Sequence, residues 1–158
     1  MARRLLIISC FVLLACGLSA AGNDPFEGTW RINDVKSSWS NGKFPKNMSL
    51  TIKLSFSGDE IKYDSVNDTV KGRSPAKLDY VAKMDGEPHP LPNSKRFNQV
   101  SIRQLPNNEM QILESKNGDV IVGAIWEVSR DGRHMVRRGI GKAADGTSHA
   151  YEEFFDKE

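Results

Sequence analysis

Between Met48 and Phe56 the side chains alternate strictly, with Met48, Leu50, Ile52, Leu54 and Phe56 on one side and small or polar residues on the other. A period of two is the signature of a β-strand buried on one face. Short alternating runs of this kind recur along the rest of the chain. Asp85-Gly86, Asn117-Gly118, Asp131-Gly132 and Asp145-Gly146, dipeptides suited to tight hairpin turns, punctuate them. The pattern predicts strands over 26–34, 48–56, 60–65, 69–73, 77–83, 97–105, 109–115, 119–129, 133–140 and 148–156. No segment after residue 21 carries a convincing 3.6-residue period. The expectation is an all-β protein, an antiparallel up-and-down barrel of about 8–10 strands, which closes its own edges.

Turn geometry fixes register, so the C-terminal hairpins can be aligned from the sequence. A three-residue loop over 130–132 sets Val128 against His134, Trp126 against Val136, Ala124 against Arg138 and Val122 against Ile140. The same loop over 116–118 sets Ile112 against Val122 and Met110 against Ala124. Over 106–108 it sets Ile102 against Ile112 and Val100 against Glu114. A two-residue loop at Asn117-Gly118 would instead turn Gln111 and Leu113 inward, a poorer match. One apolar wall results: Val100, Ile102, Met110, Ile112, Val120, Val122, Ala124, Trp126, Val128, Val136 and Ile140. Gln104, Glu114, His134 and Arg138 fall on the same face. A buried charge is costly unless paired or wetted, so these residues lie either at the barrel ends or around a wet cavity.

The chain opens with Met1-Ala-Arg-Arg4, an apolar run from Leu5 to Ala15 and small residues through Gly22. A basic start, a short apolar stretch and a Ser19-Ala20-Ala21 cleavage site describe a secretory signal peptide over 1–21. Leu13-Leu-Ala-Cys16 competes as a lipobox, in which Cys16 would be the lipidated first residue. Residues 22–158 then form a single domain, exported to the periplasm or beyond, with a lipid at Cys16 as its one possible link to a membrane. Both cysteines, Cys10 and Cys16, precede residue 21, so that domain has no disulfide. Without Arg3 and Arg4 the 22 basic residues become 20, equal to the 20 acidic ones. Near-zero charge with no basic cluster argues against nucleic acid as a partner, and a monomer is expected.

Pro25-Phe-Glu-Gly-Thr-Trp30 resembles the Gly-x-Trp opening of lipocalins and their calycin relatives. Arg31-Ile-Asn-Asp-Val-Lys-Ser-Ser38, Asp85-Gly86 and Asp145-Gly146 with Tyr151-Glu-Glu-Phe-Phe-Asp156 are similar to small exported bacterial proteins of that type. The resemblance implies a lipocalin-like barrel in which Gly28 lets the first strand bend and Trp30 closes one end. It also implies a cavity for a small apolar or amphipathic molecule, though one fold hosts many functions.

No Gly-x-Ser-x-Gly or comparable nucleophile motif is present. His89, His134 and His149 lack metal-ligand spacing, so neither enzyme activity, metal nor cofactor is expected. Candidate cavity residues are Trp126, Val122, Ala124, Met110, Ile112, Val136, Arg138, Tyr80 and Tyr151, while Arg137 and Arg103 are expected at the surface and Trp39 away from the cavity. Arg138 has two readings, an interior anchor for a ligand carboxylate or a cation laid over Trp30 as a plug. Three functions stay open: a small-molecule binder, an interaction or inhibitor module with a solid core that acts through its loops, and a haem-binding or lyase-type calycin with His149 as a candidate axial ligand.

Overall fold

A computed structural model describes residues 24–143 and 145–158; the segment read as a signal peptide, with Cys16, lies outside them. Its strands are β1 (Gly28–Trp39), β2 (Leu50–Ser57), β3 (Glu60–Asn67), β4 (Ala76–Lys83), β5 (His89–Pro90), β6 (Gln99–Leu105), β7 (Glu109–Lys116), β8 (Asp119–Val128), β9 (His134–Lys142) and β10 (Ser148–Lys157). All pairings are antiparallel, in the order β4-β3-β2-β1-β10-β9-β8-β7-β6-β5. This is the expected up-and-down barrel, without a helix among the described residues. It is nearly closed. At the seam β4 and β6 run side by side, joined by an Asp85–Arg103 bridge and by the Gly86 N–H donating to the Ile102 carbonyl at 2.8 Å.

Two segments differ from expectation. No strand forms over 69–73, because the β3–β4 ladder closes at Asn67–Ala76 and leaves 68–75 as its loop. There the Asn67 side chain accepts the Thr69 N–H and Lys71 pairs with Asp68. The first strand, by contrast, runs on to Trp39. Between Asn33 and Ser38 it carries three residues more than β10 opposite. Ser37 Oγ holds this irregularity, donating to the Asn33 carbonyl at 2.7 Å and accepting the Phe154 N–H at 2.9 Å. An odd insertion reverses the facing of a strand. Trp30 and Ile32 point inward before it, and Ser37 and Trp39 after it.

The three hairpin registers came out differently. β6–β7 pairs as expected, Ile102 with Ile112 and Val100 with Glu114. The β7–β8 turn is the two-residue Asn117-Gly118 loop, both residues at positive φ (54° and 90°). Ser115 pairs Val120 but Glu114 pairs Val122, so Ile121 is an extra residue that restores the facing; Ile112 and Met110 still point inward, but they pair Ala124 and Trp126 rather than the expected Val122 and Ala124. At β8–β9 the register is one residue off. Ser129 and His134 close a four-residue loop, with Asp131 accepting from Ser129 Oγ and the Arg133 N–H. Trp126 therefore faces Arg137, and Val128 faces Met135. A one-residue slip moves every side chain to the opposite face. Arg137 is inside and Arg138 outside, while Val136 and Ile140 leave the wall, with Ile140 61% exposed. Val120, 53% exposed, leaves it too.

One end of the barrel is solid. Phe26, Trp30, Ile52, Leu54, Ile61, Ile102, Met110, Met135 and Phe155 are fully buried there. Trp30 Nε1 donates to the Phe26 carbonyl at 2.8 Å, and Lys157 Nζ lies 4.9 Å from the centre of its ring. The cation over Trp30 is thus Lys157 rather than Arg138. Gly28, at φ 135°, makes this possible, since a Cβ there would meet Lys157 Cε at 2.6 Å. Trp30→Ala removes the plug and is expected to cost about 3–5 kcal/mol, a large share of a total of roughly 5–15 kcal/mol. Thermal unfolding checks this, and a variant melting like wild type would show that Trp30 does not close the barrel.

Candidate functional site

The registers of β7, β8, β9 and β10 arrange the inward side chains in rungs two residues apart. The one that bounds the cavity from below is Met110, Trp126, Arg137 and Glu153. Above it come Ile112, Ala124, Gly139 and Tyr151, and then Glu114, Val122, Gly141 and His149. Large side chains fill the first rung. Alanine and glycine thin out the next two, and the barrel becomes hollow. The cavity holds about 280 Å³ and is also lined by Trp39, Met48, Leu50, Tyr63, Tyr80 and Arg96. Gly139 is required where it stands, because a Cβ would press on the Gly123 carbonyl and the Tyr151 hydroxyl.

An ion pair forms the floor. Arg137 Nε donates to Glu153 Oε2 at 2.7 Å and a second guanidinium N–H reaches the same oxygen. Trp39 Nε1 donates to Glu153 Oε1 at 2.9 Å, tying β1 to the pair. The two side chains are only 18% and 4% exposed. The guanidinium carbon lies 5.5, 5.8 and 5.3 Å from the ring centres of Trp126, Tyr151 and Phe155. Burial opposes the Arg137 charge, but Glu153, with Tyr151 and Tyr63, outweighs it and holds the guanidinium above its ordinary range. Burial also pushes the Tyr151 hydroxyl up to about 12. Tyr63 and Tyr80 stack at 4.7 Å on the opposite wall, and burial raises both.

Glu114 stands apart from this network. It lines the cavity, and no hydrogen bond or ion pair to a described residue engages its carboxylate. Burial raises its pKa, against the opposing charges of Arg137 and Arg96.

Six of the nine candidate residues meet on the cavity wall: Trp126, Val122, Ala124, Ile112, Tyr80 and Tyr151. Met110 is packed in the solid end instead. Val136 and Arg138 face outward. Arg138, 51% exposed, pairs with Glu152 at 2.7 Å and Glu127 at 2.9 Å, so it is neither an interior anchor nor a plug. Sequence reasoning missed Arg137, Glu153 and Trp39. The alternation Met135-x-Arg137-x-Gly139-x-Gly141, matched by Tyr151-x-Glu153-x-Phe155, was the available signal for the first two. Of the histidines, His89 bonds Asp85, His134 bonds Asp156, and His149 lies against Trp39 at 5.0 Å.

No protein-family model matches the sequence, and no curated protein matches it. Solved structures do match the fold. The zebrafish ileal bile acid-binding protein complexed with cholic acid aligns with a TM-score of 0.57 and 13% identity, over 85% of this chain and 99% of that one. The Schistosoma mansoni fatty acid binding protein in complex with arachidonic acid gives 0.56 and 13%, over 87% and 99%. Apo Caenorhabditis elegans lipid binding protein 8 gives 0.54 and 10%, over 85% and 96%. The likeness shows that the chain shares the fold of these antiparallel β-barrels.

The floor yields a direct test. Glu153→Ala leaves a buried guanidinium without its counter-charge, and is expected to cost about 3–5 kcal/mol. The double variant Arg137→Met/Glu153→Leu removes both charges and is expected to unfold at clearly higher denaturant than Glu153→Ala. A double variant as unstable as Arg137→Met and Glu153→Leu summed would show that the groups do not act as a pair.

Proposed function

We propose that the barrel binds a small amphipathic molecule in its hollow half. The observation that carries this reading is the asymmetry of the interior, solid below the Arg137–Glu153 floor and open above it for about 280 Å³. Small-molecule sites are mostly apolar concavities of about 300–1,000 Å³ with a few placed polar groups. At about 280 Å³ this cavity falls just below that range, which favours a compact guest. Leu50, Met48, Ile112 and Val122 offer apolar contact, and Glu114 and the tyrosines offer polar contact. The matched barrels that hold cholic acid and arachidonic acid support the reading by analogy of fold. An interaction module with a solid core fits less well, because only half of the core is solid.

Gly141 gives the test. A Cβ there would meet Arg96, Val122 and Tyr151 at 3.8–3.9 Å, which is ordinary contact. Gly141→Leu should therefore fill the cavity without straining the wall. The neutral dye N-phenyl-1-naphthylamine should bind wild type and perturb both cavity tryptophans, Trp39 and Trp126, so that Trp39→Phe and Trp126→Phe each remove part of the signal. Gly141→Leu should abolish binding while unfolding like wild type. Equal binding by Gly141→Leu, or none by wild type near millimolar dye, where binding is worth only about 4 kcal/mol, overturns the reading.

We also infer, from the sequence, that the chain is exported. Protein taken from its own host should begin near Gly22 or at a lipidated Cys16 by intact mass. A chain beginning at Met1 contradicts export.

A further inference from the structure

We propose that the polar end of the guest is a cationic amine, received by Glu114 and the aromatic rings around it. This rests on the cavity-binding reading and specifies the head group. The cations near the cavity already have partners. Arg137 is committed to Glu153, whose other oxygen takes the Trp39 indole N–H. Its guanidinium is covered by Trp126, Tyr151 and Phe155. Arg96 belongs to the rim, where it donates to the Lys142 carbonyl at 3.2 Å and lies 4.9 Å from the Phe97 ring centre. A carboxylate guest would find no unpaired cation at the floor, and Glu114 would repel it.

Glu114 is the complementary case. Its neighbours across the rung are Val100 and Val122, with Gly141 beyond, and none offers a side-chain donor. The carboxylate is enclosed by the wall yet open to the cavity, and no described side chain satisfies it. Around the same space stand Trp39, Tyr63 and Tyr80, besides Trp126 and Tyr151, whose rings already lie against Arg137. Aromatic faces attract a cation, most strongly where water is excluded. An ionised carboxylate adds a charge-assisted hydrogen bond. A lone carboxylate in an aromatic-lined pocket is a receptor for an ammonium group, and the apolar side chains nearby hold the rest of the molecule.

Partial burial of a carboxylate that no described side chain pairs has a cost. Burial raises the Glu114 pKa above its value in the unfolded chain. An acid whose folded pKa is raised loses stability as pH rises through that range, and the loss is complete above the folded pKa. Glu114→Gln should therefore raise the melting temperature at neutral pH, with the gain vanishing in acid, where Glu114 is protonated. The charged and titratable groups around that cavity are Arg137, Arg96, Glu153, His149 and the three tyrosines, all unchanged in the variant.

The test compares octylamine, 1-octanol and octanoate, one chain with three heads, as competitors of the bound dye at neutral pH. Wild type should bind octylamine about tenfold or more tighter than octanol, and octanoate most weakly. Glu114→Gln should remove the preference for the amine while keeping octanol. Octanoate binding as tightly as octylamine, or an amine preference that survives in Glu114→Gln, overturns the head-group assignment and leaves the cavity reading standing. If neither the dye nor any of the three chains binds, both fail together.

Discussion

A guanidinium can occupy a barrel interior only if the interior supplies an opposite charge, and here Glu153 does so from the neighbouring strand. Arg137 and Glu153 are cross-strand partners, so the register of one hairpin delivers the pair already aligned. Trp39 adds the remaining hydrogen bond from β1. Buried ion pairs seldom add net stability over an apolar filling of the same volume. What this one does is divide the barrel. Below it the side chains interlock, and above it the wall is built from residues too small to meet across the middle.

That division follows from side-chain size along successive rungs. Met110, Trp126, Met135 and Phe155 fill the closed end with sulfur and aromatic rings. Ala124, Gly139 and Gly141 occupy the equivalent places toward the mouth. Close packing tolerates few voids larger than a water molecule, so a space of about 280 Å³ requires such a run of small residues. The last rung then adds Glu114, whose carboxylate has no hydrogen-bonded side chain among the described residues.

The alternation of Met48 to Phe56 and the spaced turn dipeptides made the all-β barrel legible, because they report directly on a two-residue period. Gly28 and Trp30 drew notice for a different reason, as a resemblance to a short motif at the start of the first strand. The site was only partly so. At Asn117-Gly118 the expected loop length was wrong, but the extra residue Ile121 compensated and the facing survived. At Asp131-Gly132 nothing compensated. The outer face of β8 and β9 carries Ile125, Val136 and Ile140, and so competes with the true inner face when apolarity alone decides the register. The four-residue loop is chosen by hydrogen bonds of Ser129 and Asp131, which hydrophobic pattern does not encode. Trp39 escaped notice because three extra residues in β1 reverse its facing, and no periodicity survives such an irregularity.

The facing of β9 decides whether Arg137 meets Glu153, and it can be read from thiol accessibility. A chain beginning at Gly22 has no cysteine, so single substitutions report without background. Labelling rates would be compared for Met135→Cys, Val136→Cys, Ile140→Cys and Gly141→Cys in the folded protein. With Arg137 inside, positions 136 and 140 label fast and positions 135 and 141 label slowly. The opposite phase, fast at 135 and 141 and slow at 136 and 140, would place Arg138 in the interior and contradict the floor, the cavity and the site built on them.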